Sequence, residues 1–112
     1  MLTIDALKEF GANTDEGMGR CFGNEEFYLK LVKTVPSEPN FDKLAAAIES
    51  DDLKNAFEHA HALKGVLANL SLTPILNPAS ELTEHLRAEE RMDYKPLVDE
   101  IMKKRDELKN LM

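Results

Sequence analysis

The chain has no tryptophan and only one cysteine, Cys21, in 112 residues. A single thiol cannot close an internal disulfide, which argues against a disulfide-framed secreted fold and makes a reducing cytoplasm the expected setting. Cys21 itself reads as a small apolar packing residue. No apolar run is long enough to span a bilayer, and Met1 to Phe10 carries Asp5, Lys8 and Glu9 where a signal peptide would have an apolar core. Neither membrane insertion nor secretion is expected. Acidic residues outnumber basic ones 21 to 14, a formal net charge of −7, and no concentrated basic surface is present to track a phosphate backbone. Nucleic acid is therefore not an expected partner. The chain also lacks a Gly-rich phosphate loop, a Gly-x-Ser-x-Gly elbow and any convincing carboxylate pair. With no nucleotide-binding motif it is expected to be no enzyme and no kinase, and to need no cofactor; a phosphoryl group would have to come from a separate protein.

Strand-like alternation of β-branched residues is missing too, and what remains is helical periodicity punctuated by Gly and Pro. Thr3 caps a short helix to Phe10, broken by Gly11 to Asn13. Thr14-Asp15-Glu16 starts a second, with Met18, Cys21 and Phe22 on its apolar side and Gly23 at its end. Asn24 caps a longer segment in which Phe27, Tyr28, Leu31, Val32 and Val35 repeat at helical spacing. Pro36 and Pro39 break or kink it, and Phe41, Leu44, Ala45 and Ile48 resume the stripe. Ser50-Asp51-Asp52 starts the next helix, whose seam is Leu53, Ala56, Phe57, Ala60, Leu63, Leu67 and Leu70. After a tight connection at Ser71 to Pro74 come Ile75, Ala79, Leu82 and Leu86, with Pro78 near the start of that helix. Asp93 opens the last helix, with Pro96 in its first turn and Leu97, Ile101, Leu108 and Leu111 inward. The expected fold is all-α: an antiparallel up-down four-helix bundle with short extra N-terminal helices, forming a single domain over residues 1–112.

The run His59-Ala60-His61-Ala62-Leu63-Lys64-Gly65 carries the chemistry. At roughly 100° per residue, His61 lies about 120° from the centre of the apolar seam and points away from the core. Lys64, one turn on, can lay its stem on apolar surface and send its ammonium outward. Gly65 costs about 0.8–1.0 kcal/mol relative to alanine in a helix interior, so a bare backbone there calls for a reason. Close approach of another surface supplies one, and Ala62 and Ala68 keep the adjacent ground low. A neutral imidazole is a good nucleophile near neutral pH. Lys64 would add positive charge beside a phosphoryl group on His61, and the resulting phosphoramidate is labile enough to suit a carrier.

Ala60-His61-Ala62-Leu63-Lys64-Gly65, followed by Asn69-Leu70, resembles the signature of histidine-containing phosphotransfer (HPt) domains of bacterial two-component phosphorelays. The resemblance extends over the whole length. It implies a four-helix bundle exposing one histidine in mid-helix, which takes a phosphoryl group from a receiver-domain aspartate or a histidine kinase system and passes it on. By position, His61 would be the phospho-accepting residue, Lys64 the charge stabiliser and Gly65 the point of close approach. The implied partners are receiver domains of response regulators or hybrid histidine kinases, met by a cytoplasmic monomer. Ser71 departs from the pattern, standing where the family usually has glycine, and Pro74 and Pro78 are less usual. These departures bear on the turn and the next helix start.

Plainer readings stand beside these. A lone surface histidine ordinarily has no role; Lys64 and Gly65 next to His61 favour phosphotransfer. His59 points to another side as a half-buried packing or partner-contact residue, and His85 is a flank residue. His59 and His61 lack the i, i+3 or i+4 spacing of helical ligand pairs, so no metal site is expected. Asn69 is either a polar residue near the helix end or part of the phosphoryl site. Two other functions fit the same surface: a non-covalent helical module that docks or sequesters a response regulator without transfer, and a bundle that merely dimerises.

Overall fold

A computed structural model describes residues 1–112. Its regular structure is entirely helical: α1 (Ile4–Phe10), α2 (Thr14–Arg20), α3 (Glu25–Thr34), a 3₁₀ turn (Val35–Ser37), α4 (Pro39–Glu49), α5 (Leu53–Asn69), α6 (Thr73–Arg87) and α7 (Lys95–Lys109). Short polar side chains set the starts. Thr3 Oγ1 accepts from the Ala6 amide at 3.1 Å, Asn24 Oδ1 from Phe27 at 3.0 Å and Asp52 Oδ1 from Asn55 at 3.3 Å, each satisfying an amide that the first turn leaves free. The last helix begins two residues later than Asp93, which instead accepts from the Lys95 amide at 3.0 Å.

The two prolines between α3 and α4 decide the shape of the first arm. Pro36 falls in the 3₁₀ turn and Pro39 opens α4, where its missing amide has no partner to lose. Helices α3 and α4 thus form one broken arm that runs antiparallel to α5: Tyr28 meets Leu70 at one level and Asn40 meets His59 at another. Helices α6 and α7 complete the up-down order. Apolar residues at helical spacing fill the interior, with Phe41, Leu44, Leu63, Leu67, Ile75, Leu82, Ile101 and Leu108 fully buried. Helix α6 runs unbroken past Pro78, which is buried in its second turn.

Helices α1 and α2 cap the end of the bundle where α5 turns into α6. The Asn13 amide donates to the Ser71 carbonyl at 3.0 Å. Gly17 lets the α2 backbone lie on Tyr28: a Cβ there would sit 2.5 Å from Tyr28 Cε1 and 2.8 Å from the Leu70 carbonyl oxygen. Ser71 shows why its position usually takes glycine, since its φ is +55°, in the left-handed region. Its buried hydroxyl compensates by accepting from Arg20 Nη1 at 2.6 Å and donating to Glu16 Oε1 at 3.0 Å. The Ser71 hydroxyl and the Arg20 guanidinium hold the Glu16 carboxyl below its ordinary range.

Two aromatics depart from expectation. Helix α2 ends at Arg20, so Phe22 lies beyond it at φ +60° and is 94% exposed, whereas Cys21 is buried. Phe27, in the first turn of α3, is also exposed, and Tyr28 takes the inward position. Burial, with the Cys21 thiol adding to it, pushes the Tyr28 phenol up to about 12, and its hydroxyl donates to the Leu70 carbonyl at 2.8 Å. Because the folded state holds this proton more tightly than the unfolded chain, the stabilisation is complete below about pH 10 and fades as pH rises toward 12. In denaturant titrations, the advantage of the parent over Tyr28→Phe should therefore be about 1–2 kcal/mol at pH 8 and shrink steadily above pH 10. A pH-independent difference would show that the hydroxyl is not protected.

Candidate functional site

Helix α5 buries Ala56, Ala60, Leu63 and Leu67 against the bundle, which turns His61, Ala62 and Gly65 to solvent. The outward orientation of His61 follows directly from that seam. Its imidazole stacks on Phe57, one turn earlier, with ring centroids 5.7 Å apart and planes inclined by 11°. The Arg87 guanidinium of α6 covers the same Phe57 ring, its Cζ 5.0 Å from the centroid. Phe57 is therefore half-buried under His61 and Arg87 and only partly a core residue. Below it the α5–α6 surface opens into a groove of about 400 Å³ walled by Phe57, Leu86 and Arg87.

The three histidines differ in their hydrogen bonding. His59 Nδ1 donates to Asn40 Oδ1 at 2.9 Å, joining α5 to α4, and His85 Nδ1 donates to Glu90 Oε2 at 2.7 Å. Both are half-buried. His61 alone makes no hydrogen bond within the chain, so either ring nitrogen can, as the unprotonated one, attack a phosphoryl group and later leave from it.

Lys64 is half-buried, and its ammonium reaches across to α6, with Nζ 3.6 Å from Glu84 Oε1. The other carboxylate oxygen of Glu84 lies 3.3 Å from Arg87 Nε. Lys64 and Arg87 thus share one exposed carboxylate. At Gly65 an added Cβ would meet nothing within 4 Å, so the missing side chain answers no need of the protein's own packing. Asn69 is the exposed last residue of α5. Eight residues beyond His61 amount to about 12 Å along the axis, too far for direct contact with a group on the imidazole.

The structure brings His61, Lys64 and Gly65 onto one face and leaves His59 on another. Phe57, Glu84 and Arg87 join the site unannounced by the sequence motif. The i, i+4 spacing of Phe57 and His61 was a usable signal for the first. Glu84 and Arg87 sit on a different helix, and only the packing register of α5 against α6 delivers them.

An exposed nucleophilic nitrogen, an adjacent ammonium and an open backbone one turn on can accept a compact dianion from a partner surface. Three His, Cys, Asp or Glu side chains do not converge anywhere as a metal-holding group, and no helix is long and apolar enough to cross a membrane. Among known families, the model described as Hpt domain matches residues 37–112, which takes in α4 to α7 and the His61 face. No curated protein and no solved structure matches the chain.

Proposed function

The chain belongs to the Hpt domain family, phosphocarriers of two-component signalling rather than kinases, and we propose on that premise that it relays phosphoryl groups between receiver domains through His61. A neutral His61 nitrogen attacks the phosphorus of a receiver aspartyl phosphate. The N–P bond forms as the P–O bond to the aspartate breaks, the carboxylate leaves with the electron pair, and the proton on the second ring nitrogen stays or passes to water. Delivery to another receiver reverses these steps. Lys64 offsets the charge of the phosphoryl oxygens, and Gly65 admits the receiver surface.

The observation that carries this reading is the free His61 imidazole beside Lys64 and above the bare Gly65 backbone. We include residues 1–36 in the same domain as the matched region, supported by the bonds of Tyr28 to Leu70, Arg20 to Ala68 and Asn13 to Ser71. Receiver domains of response regulators or hybrid kinases are the proposed partners, in the cytoplasm, with the carrier monomeric and without kinase activity of its own. Incubation with a phosphorylated receiver should move acid-labile, alkali-stable phosphate onto the parent and none onto His61→Gln. Equal labelling of the two would overturn the assignment.

A further inference from the structure

The ion pairs beside His61 have a consequence for the reaction, and it rests on the phosphocarrier reading. Lys64 is not free in the unphosphorylated protein. Its Nζ lies 3.6 Å from Glu84 Oε1, and Arg87 Nε lies 3.3 Å from Glu84 Oε2. Arg87 in turn lies over the Phe57 ring on which His61 stacks. One carboxylate on α6 therefore ties down both Lys64, one turn after His61, and Arg87, which packs on the same phenyl ring as the imidazole. We infer that Glu84 is a positioning residue that sets the phosphoryl-transfer potential of His61, by holding Lys64 until a phosphoryl group displaces it.

Two electrostatic effects act in the same direction. Before transfer, the Lys64–Glu84 attraction stabilises the unmodified protein. After transfer, the Glu84 carboxylate repels the phosphoryl dianion and competes with it for Lys64. Both raise the free energy of phospho-His61 relative to the free imidazole. A carrier must not hold its cargo too tightly, and Glu84 favours onward delivery. Lys64 is half-buried but Glu84 is exposed, with side-chain exposure of 57%, so the effect is modest and screened by salt.

The test is the equilibrium distribution of phosphate between a receiver and the full-length protein at low ionic strength. Glu84→Gln should shift it about threefold toward the phosphorylated carrier, without a change in melting temperature that could account for it. Glu84→Asp should restore part of the parental value. In a Lys64→Ala background the same Glu84→Gln change should lose part of its effect, the direct repulsion alone remaining, and raising the salt concentration should draw parent and Glu84→Gln together. An unchanged distribution in Glu84→Gln, or an undiminished shift without Lys64, overturns the role of Glu84. These results leave the carrier reading standing, because the parent still acquires label at His61; a parent that takes up no phosphate removes that reading itself.

Discussion

Replacing Gly65 with glutamine is expected to raise stability by about 0.5–1 kcal/mol and to slow phosphoryl loading by about a hundredfold. The two effects have separate origins. A Cβ at position 65 meets nothing within 4 Å, so glutamine costs no packing and removes the conformational penalty of a mid-helix glycine. The same side chain projects into the space one turn after His61, where the proposed transfer would bring a receiver's aspartyl phosphate within bonding distance of the imidazole. Gly65→Ala should gain similar stability and lose far less activity. Thermal melts and loading time courses on the same samples check both halves. A Gly65→Gln protein that loads at the parental rate would show that no partner comes close at this point.

At Gly17 the expectation has the opposite sign. Alanine is a better helix former than glycine, yet Gly17→Ala should destabilise by about 2–3 kcal/mol, lowering the melting temperature by about 10 °C. The new methyl would fall 2.5 Å from a fully buried tyrosine ring and 2.8 Å from a backbone oxygen, and neither can yield cheaply. Tyr28 is held by its bond to Leu70, so relief requires α2 to lift off the end of the bundle. Loading at a temperature where the variant is folded should stay near the parental rate, because α2 lies at the end of α5 and not at His61. A neutral Gly17→Ala would mean that α2 does not seat on Tyr28.

These two glycines mark how far the sequence could be read. Both lie inside helices; the α5 seam puts Gly65 on the outward flank with His61, whereas nothing around Gly17 announces the tyrosine pressed on it. Caps and breaks were legible because they are local: Thr3, Asn24 and Asp52 each bond an amide three residues on, and Pro36 and Pro39 fall where the arm breaks between α3 and α4. The α5 seam was legible as well, and with it the outward direction of His61. Phe22 misled because its hydrophobicity suggested burial, whereas the helix ends two residues before it and the chain turns it out. Ser71 looked like a departure at a glycine position. Its left-handed backbone is the reason for that preference, and the Arg20 and Glu16 bonds that compensate come from 51 and 55 residues away. Distance in sequence likewise hid Glu84 and Arg87. Their place beside Lys64 and Phe57 depends on helix register, which periodicity alone does not specify.

The most direct test of the account is to locate the phosphate. After brief incubation with a phosphorylated receiver, the protein is digested at alkaline pH, where a phosphoramidate survives, and the modified residue is identified by fragmentation mass spectrometry. Phosphate is expected on the imidazole of His61, absent from His59 and His85, and lost again when an unphosphorylated second receiver is added. Stable binding of the receiver with no phosphate on His61 would contradict it, and would leave a docking module in its place.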